Sequence, residues 1–334
     1  MDRSIWGRTG TVPLIVEAPY ENLVDLRERA KVEVSKVVIG QDAAVELLLV
    51  AALARGHVLI EGPPGSAKTL LGRAAAHMLG AQFKRIQFTP DTAPAELTGQ
   101  NTIRAGEQIF IPGVVFTNVL LADEINRTPP RTQAALLEAM QERQVTVEGK
   151  GHRLPDPFLV IATQNPYEHR DVFELPESQL DRFLFKVQLE YSDAESEYEM
   201  LDLPHKGVAP DMLGEVQPLL GVVGLDKARA ELDSTELPEE VGRYMVAIAR
   251  ITRSLEGVEL GVSSRGIMHW ASASKATARL NGRNYVSVED AQQIAPYVLR
   301  HRLIMRDEAN AADALDAAFE QIPAPKPAAT FVYV

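Results

Sequence analysis

The stretch EGPPGSAKTL, Glu61–Leu70, follows the short apolar run HVLI and precedes a segment with helical character. Glycines let a backbone turn tightly with its N–H groups pointing at oxygen, while a lysine followed by a hydroxyl residue reaches phosphate and Mg²⁺. The stretch therefore predicts a phosphate-binding loop, although a plain strand–turn–helix connection is an open alternative. The expected binding residues are Gly62, Pro63, Pro64, Gly65, Ser66, Ala67, Lys68, Thr69 and Leu70.

One position departs from the strict phosphate-loop pattern. That pattern has glycine directly before the lysine, whereas this chain has Ala67. A methyl group is tolerated at a negative φ, because only positive φ strongly favours glycine. We therefore expect Ala67 to keep a negative φ.

Composition narrows the class of protein. The 334 residues carry a net charge of −12, which argues against broad binding to nucleic acid or to a membrane surface. The absence of cysteine excludes disulfides, thiol nucleophiles and cysteine-bound metals in this sequence. No apolar run reaches the roughly 18 residues of a membrane span, and no secretory signal is visible, so we expect a cytoplasmic protein.

Short apolar runs alternate with helical segments from His57 to Leu189, which predicts a parallel sheet covered by helices on both faces. The remainder of the chain has helical patterns only, which predicts a smaller helical domain. The predicted ranges are 1–20 for an irregular segment, 21–190 for the α/β core, 191–225 for a linker, 226–310 for a helical lid and 311–334 for a C-terminal helix and tail.

The run VLLADE, Val119–Glu124, predicts the second half of the site, on a strand neighbouring that of the phosphate loop. Asp123 would hold Mg²⁺ through the water shell of the ion, and the hydroxyl of Thr69 would be a further ligand. Glu124 would orient and deprotonate an attacking water. Paired carboxylates are also common at turns, but the position of this pair one helix and one strand after Lys68 favours the paired site.

Three further polar residues are candidates for the same chemistry. Asn165 ends the apolar run IATQN, where its amide could contact a γ-phosphate, although Asn before Pro is also ordinary turn chemistry. Arg182 precedes another apolar run and could form a structural ion pair or neutralise phosphoryl charge in a neighbouring subunit. Arg265 begins a helix of the second domain, where it is either solvated or able to reach back to a nucleotide.

Together these stretches resemble the AAA+ ATPases, and the MoxR family above all. The resemblance covers about residues 35–305, and its most specific part is LLADEINRTPPRTQAALLEAMQE. It implies an AAA+ P-loop NTPase core, with a parallel sheet sandwiched by helices, and an all-helical C-terminal lid. It assigns Lys68 and Thr69 to Walker A, and Asp123 and Glu124 to Walker B. It assigns Asn165 to sensor 1, Arg182 to the arginine finger and Arg265 to sensor 2. It also places Ile39 and Gly40 at the adenine site and Arg127 near a subunit interface.

Two segments read as inserted β-hairpins, about residues 101–116 and 144–155, because apolar and polar residues alternate around turn sequences. Relatives in this clade carry such insertions on the surface that faces a central pore. Plain surface hairpins are the alternative. The stretch ATQNPYEHRDVFELPE has less glycine than is usual for the family, which puts the shape of that loop in doubt.

The resemblance implies hydrolysis of MgATP at the subunit interfaces of a ring homo-oligomer, expected to be a hexamer, that remodels a protein client. It also implies a partner with a von Willebrand factor A domain, and no direct contact with nucleic acid. Three alternatives stay open: a nucleic-acid motor, a magnesium-chelatase-like motor subunit, and a nucleotide-gated scaffold with little turnover. DNA-stimulated activity, binding to a tetrapyrrole-inserting partner, or negligible turnover would identify each in turn.

Overall fold

The computed structural model describes residues 22–325, apart from 105–106, 168–171, 204, 207–208, 211–212 and 307–308. The predicted irregular segment 1–20 and the end of the predicted tail, 326–334, lie outside the described residues. The chain divides after Ala230 into two compact units. Within the segment 191–225, predicted as a linker, the N–H of Leu219 donates to the carbonyl of Met78 at 2.7 Å, so this part packs on the first unit.

Helices and strands alternate through most of the first unit, and helices dominate the second. Among the described residues the helices are α1 Leu23–Ser35, α2 Asp42–Leu53, α3 Lys68–Leu79, α4 Pro94–Thr98, α5 Pro130–Glu142, α6 Glu177–Leu180, α7 Ala194–Leu201, α8 Gly221–Asp233, α9 Glu239–Thr252, α10 Ser264–Leu280, α11 Val288–Leu299 and α12 Ala311–Gln321. The strands are β1 Val58–Glu61, β2 Phe83–Gln87, β3 Gln100–Arg104, β4 Glu107–Ile111, β5 Val119–Asp123, β6 Gln144–Val147, β7 Lys150–Arg153, β8 Leu159–Gln164, β9 Phe185–Gln188, β10 His205–Lys206, β11 Ala209–Pro210, β12 Val258–Leu260 and β13 Ile304–Met305.

The core of the first unit is a parallel sheet with the strand order β2-β5-β8-β1-β9, which confirms the predicted fold class. The prediction that the phosphate-loop strand and the carboxylate strand are neighbours is wrong, because β8 lies between β1 and β5. The chain leaves β1 through α3 to the far edge and returns through β5 and β8. All five strands still end at the same edge, so the residues that follow them converge there.

Burial follows the sequence pattern closely. All residues of β1 and β5 are buried, as expected for strands covered on both faces. In α1 the buried residues recur every three or four positions, as the helical period predicts: Leu23, Leu26, Ala30 and Val34. Helix α3 ends where predicted, with Gly80 in the left-handed conformation at its C-terminus. No helix among the described residues has both the length and the apolar character that a membrane crossing requires.

The second unit is organised around α9, α10 and α11. The indole of Trp270 is fully buried, and its N–H donates to the carbonyl of Ala291 at 2.7 Å, which joins α10 to α11. Helix α11 begins with a capping box, in which Ser287 and Asp290 satisfy each other's backbone N–H groups. These contacts give the helical unit a core of its own.

Two antiparallel hairpins, β3–β4 and β6–β7, extend from the first unit. The carboxylate of Glu148, at the turn of the second hairpin, accepts hydrogen bonds from Asn101 at 2.8 Å and from Gln108 at 2.7 Å. The ring of Phe110 stacks on His152 with centroids 3.8 Å apart. The two hairpins are therefore joined side by side.

His57 packs at the start of β1 in a buried setting. Its Nδ1 accepts from the N–H of Val160 at 3.0 Å, so Nε2 carries the proton and donates to the carbonyl of Met140 at 3.2 Å. Burial, with a further contribution from the charge of Arg143, lowers the pKa of His57 from 6.5 to about 3. The imidazole of His57 is therefore neutral in the folded protein near pH 7.

We expect the stability that His57 contributes to decline as the pH falls below 6.5, because the unfolded chain takes up a proton there and the folded chain does not. From pH 7 to pH 5 this loss should be about 2 kcal/mol. Urea unfolding of wild type and His57→Gln across this range measures it. The variant should be less stable at pH 7 but less sensitive to acid, and parallel curves for the two proteins would contradict the assignment.

Candidate functional site

The phosphate loop connects β1 to α3 through backbone conformations that its glycines permit. Gly65 has a φ of +84°, which side chains rarely adopt. At Gly62 the constraint is space, because a Cβ atom would lie 2.7 Å from the carbonyl oxygen of Leu189. The hydroxyl of Ser66 donates to the carbonyl of Pro63 at 2.9 Å and closes the turn.

The expected negative φ of Ala67 is wrong. Ala67 directly precedes α3 in the left-handed conformation, with φ of +58° and ψ of +18°. The loop turns in the left-handed sense at both Gly65 and Ala67 before the helix begins, and this sets the backbone direction that α3 needs. An alanine in that conformation carries about 1 kcal/mol of strain that a glycine would not.

Lys68 and Thr69 form the first turn of α3, where unpaired N–H groups and the helix dipole favour an anion. The ammonium of Lys68 bends back onto its own loop and donates to the carbonyls of Gly62 and Pro63, both at 2.7 Å. A phosphate group at the helix N-terminus would offer the same ammonium a charged acceptor in place of two neutral ones.

Asp123 ends β5 and is buried, with each carboxylate oxygen held. Its Oδ2 accepts from the hydroxyl of Thr69 at 2.9 Å and from the guanidinium of Arg85 at 2.7 and 3.0 Å, while its Oδ1 accepts from Thr163 at 2.5 Å. A hydroxyl and a carboxylate in contact are hard oxygen ligands of the kind that Mg²⁺ binds. The guanidinium of Arg85 contacts this same oxygen, which shows that the oxygen lies where a positive charge can reach it. The residues present therefore fit Mg²⁺.

Glu124 follows Asp123 in the left-handed conformation, with φ of +59° and ψ of +51°. Such strain in a non-glycine residue is frequent where a structure must aim a functional side chain. The N–H of Glu124 donates to Thr163 at 3.0 Å, which fixes the backbone. The carboxylate of Glu124 accepts a hydrogen bond from the side-chain amide of Gln87 at 3.3 Å and forms an ion pair with Arg127 at 3.0 Å.

Asn165 directly follows β8, and its side-chain oxygen accepts from the N–H of Tyr167 at 3.1 Å. A cavity of about 440 Å³ lies at this edge of the sheet, between the phosphate loop and the ends of the strands. The predicted residues that line it are Pro64, Gly65, Ala67, Lys68, Thr69, Leu70, Asp123, Glu124 and Asn165, and the other lining residues are Arg85 and Gln87. The structure therefore brings the two motifs and the asparagine to one concave surface.

A smaller cavity of about 80 Å³ lies on another side of the phosphate loop. Ile39 lines it, together with Tyr191 and Met200. Gly40 packs next to it, where an added Cβ atom would lie 2.9 Å from the hydroxyl oxygens of Ser192 and of Ser196. The two residues expected near adenine thus adjoin the loop expected to bind the phosphates.

The three predicted arginines have different surroundings. Arg182 follows α6 and is not among the described residues that line the 440 Å³ cavity, and its Nε is buried without a hydrogen-bond partner among the described residues. Arg265 is exposed in the first turn of α10, in the second unit. Arg127, expected near an interface, pairs with Glu124 within the same chain.

Sequence reasoning missed three residues of the site: Arg85, Gln87 and Thr163. Arg85 and Gln87 lie two positions apart on β2, and the register pairs Gln87 with Asp123. Thr163 lies on β8, next to β5. Arg85 and Gln87 are two residues apart near the end of a strand, so their side chains lie on the same face of the sheet. This spacing points to the site only when β2 is known to pair with β5.

Replacing Ala67 by glycine should remove the left-handed strain, at the cost of a more flexible unfolded chain, with a net gain of about 0.5–1 kcal/mol. The midpoint of urea unfolding should rise, and nucleotide binding should be kept. Ala74→Gly is the matched control, because this buried alanine lies inside α3 and should lose about 1 kcal/mol. A lower midpoint for Ala67→Gly would contradict the conformation described.

Comparison with known families agrees with this geometry. Residues 57–185 match the model of the ATPase family associated with various cellular activities (AAA), and residues 250–322 match the AAA lid domain. In the solved structures, a candidate ATPase from Cytophaga hutchinsonii shares the fold with a TM-score of 0.82 and 34% sequence identity, over 91% of this chain and 97% of that one.

Two of the relatives come from Bacillus subtilis and Mycobacterium tuberculosis. The uncharacterized protein YeaC of Bacillus subtilis (strain 168) is 42% identical over 294 residues, which are 87% of this chain and 91% of that protein. Chaperone MoxR1 of Mycobacterium tuberculosis is 41% identical over 293 residues, 84% of this chain and 76% of that protein. With a phosphate loop, a carboxylate pair and an asparagine gathered at the edge of a parallel sheet, the chain belongs to the MoxR family of AAA+ ATPases.

Proposed function

We propose that this chain hydrolyses MgATP at the subunit interfaces of a ring and uses the cycle to remodel a protein client. The observation that carries the proposal is the single cavity lined by Lys68, Thr69, Asp123, Glu124 and Asn165. A cation, a metal-ligand pair, a carboxylate base and a polar amide are the groups that transfer of a phosphoryl group to water requires.

In this proposal the N-terminus of α3 and the ammonium of Lys68 bind the β- and γ-phosphates, after Lys68 leaves the loop carbonyls. Thr69 and Asp123 would hold Mg²⁺, which neutralises phosphate charge when bound. Glu124 accepts a proton from the attacking water. Asn165 contacts the γ-phosphate or the water from the end of β8. Adenine lies toward Ile39 and Gly40.

Glu124 is held by two partners that bear on this role. Gln87 and Arg127 both contact its Oε2. An oxygen that already accepts from two donors has little room for a third. Proton transfer from water therefore requires that these contacts loosen, or that the water binds the other oxygen of the carboxylate.

Arg182 supports completion of the site by a neighbouring molecule. A buried Nε without a partner costs free energy unless an acceptor arrives, and Arg182 does not line the cavity of its own chain. An arginine supplied in trans can accelerate phosphoryl transfer by about 10³–10⁵-fold. We therefore propose a homo-oligomeric ring, a hexamer, whose interfaces bring Arg182 to the next site, with Arg265 as the residue of the lid that responds to nucleotide.

The hairpins are the proposed contact with the client. Ile103, Ile109 and Ile111 on β3–β4 are exposed, and exposed apolar side chains on a hairpin suit binding of unfolded or partly folded protein. One relative is named a chaperone, which supports this class of client. A partner with a von Willebrand factor A domain remains part of the proposal because such partners accompany MoxR-type proteins.

The alternatives have weaker support. A nucleic-acid motor needs a basic surface, and the chain carries a net charge of −12. A scaffold with little turnover does not require a carboxylate base beside a metal-ligand pair. A magnesium-chelatase-like role shares this architecture and would be recognised by binding to a tetrapyrrole-inserting partner.

Two substitutions test whether the cavity is an ATPase site. Lys68→Ala should abolish binding of MgATP, whereas Glu124→Gln should keep binding and lower turnover by about 10²–10³-fold. Phosphate release and titration with a fluorescent ATP analogue separate the two effects. Glu138→Gln is the control, because it makes the same substitution at an exposed position of α5, and its binding and turnover should equal those of the wild type. Undetectable turnover in the wild type would favour the scaffold instead.

A mixing experiment tests the role of Arg182. Subunits with Lys68→Ala cannot bind nucleotide but can supply Arg182, and subunits with Arg182→Ala have the opposite defect. Each should be inactive alone, and an equal mixture that assembles at random should recover about a quarter of the wild-type rate, because that share of interfaces combines two intact halves. A mixture as inactive as its components would refute action in trans.

A further inference from the structure

Arg85 holds the carboxylate that the proposed magnesium site needs. Its Nε and Nη2 donate to Oδ2 of Asp123 at 3.0 and 2.7 Å. The hydroxyl of Thr69 donates to the same oxygen at 2.9 Å. The side chain of Asp123 is 7% exposed and that of Arg85 is 40% exposed, so the carboxylate is fixed in the protein while the guanidinium borders on solvent.

The guanidinium and a metal ion compete for this oxygen. Oδ1 of Asp123 is taken by Thr163, which leaves Oδ2 as the oxygen that faces Thr69 and the cavity. Thr69 and Asp123 are the residues that would hold Mg²⁺, directly or through the water of its shell. Two cationic groups in contact with one oxygen atom repel each other, so binding of the metal must displace Arg85.

Displacement of Arg85 also affects the base. Nη2 of Arg85 donates to the side-chain oxygen of Gln87 at 2.9 Å, and the amide of Gln87 donates to Glu124 at 3.3 Å. When the guanidinium leaves, Gln87 loses the contact that orients its amide. A contact that holds Glu124 is then weakened in the same step that places the metal.

A second cavity offers Arg85 a place to go. It has a volume of about 760 Å³, and Arg85 lines both this cavity and that of the nucleotide. Its other lining residues include Gly99, Gln100 and Ile111, at the base of the β3–β4 hairpin, and the carboxylate residue Glu96 on α4. A guanidinium that turns away from Asp123 would thus move toward a carboxylate and toward the hairpin.

We propose that Arg85 is a positioning residue that occupies Asp123 until Mg²⁺ arrives, and then turns toward the base of the β3–β4 hairpin. Movement of Arg85 away from Asp123 would loosen the hold on Glu124 and would bring a positive charge closer to the hairpin. The inference rests on the proposed function, because it requires that Asp123 and Thr69 take Mg²⁺ with the nucleotide.

The test is the Mg²⁺ concentration at which binding of a fluorescent, non-hydrolysable ATP analogue is half-maximal. Arg85→Gln removes the competing cation, and the midpoint should fall about tenfold, the size expected from the loss of one charge-assisted hydrogen bond. Arg85→Lys should give an intermediate midpoint, since an ammonium competes without the forked geometry. Lys84→Gln is the matched control, because Lys84 also lines the hairpin cavity but has no contact with Asp123.

Hydrogen exchange supplies an independent readout. Addition of Mg²⁺ with the analogue should change exchange in Gln100–Arg104 and Glu107–Ile111 of the wild type, and this change should be smaller in Arg85→Gln. A merely structural Arg85 would alter thermal stability but leave the Mg²⁺ midpoint where it was. An unchanged or higher midpoint in folded Arg85→Gln, as judged by circular dichroism, overturns the inference.

Failure of the proposed function would look different. If the wild type binds the analogue with no dependence on Mg²⁺, or if Asp123→Asn leaves that dependence intact, the magnesium site itself is refuted. If the wild type shows the dependence, Asp123→Asn loses it and Arg85→Gln does not shift it, only the role of Arg85 is refuted.

Discussion

The hydrogen bond between Thr69 and Asp123 is the contact on which the site depends. It joins the first turn of α3 to the end of β5, although β8 separates β5 from the strand that leads into the phosphate loop. The contact is possible because parallel strands end at one edge of the sheet, so the residues that follow each strand converge. The buried strands fix both ends of the bond, and the loop between β1 and α3 is shaped to meet it.

Electrostatics around this contact are balanced within the chain. Asp123 faces Arg85, Glu124 faces Arg127, and Lys68 lies on backbone carbonyls. Leaving a buried charge unpaired is costly, and each of these groups has a partner within the chain. In the proposed function, binding of a charged nucleotide would exchange these partners more than add new contacts. Its affinity would then reflect the difference between the two sets of contacts.

The parts of the site that could be predicted are those formed by residues close together in the sequence. The phosphate loop, the carboxylate pair and Asn165 each lie at the end of an apolar run, and the structure places all three around one cavity. The strand order was not predictable, because a buried apolar run carries no information about which other strands it pairs with. Arg85, Gln87 and Thr163 were missed for the same reason.

Other differences have local or intermolecular causes. The left-handed conformation of Ala67 was missed because alanine seldom adopts it, and the requirement comes from the turn into α3. The helical period of α1 and the capping box of α11 depend only on residues that are near one another in the sequence, so the sequence alone contains both patterns. The roles of Arg182 and Arg265 stay predictions, since the first concerns another molecule and the second a residue of the other unit.

The carboxylate of Glu148 has a consequence for how this surface can vary. It lies 47 residues from Asn101 and 40 residues from Gln108 in the chain, and its hydrogen bonds to them hold these two segments together. An insertion that lengthens one hairpin would pull its polar groups out of reach of the other. The lengths of the two hairpins are therefore matched, and a hairpin tip taken from a homologue should be transplanted together with its companion.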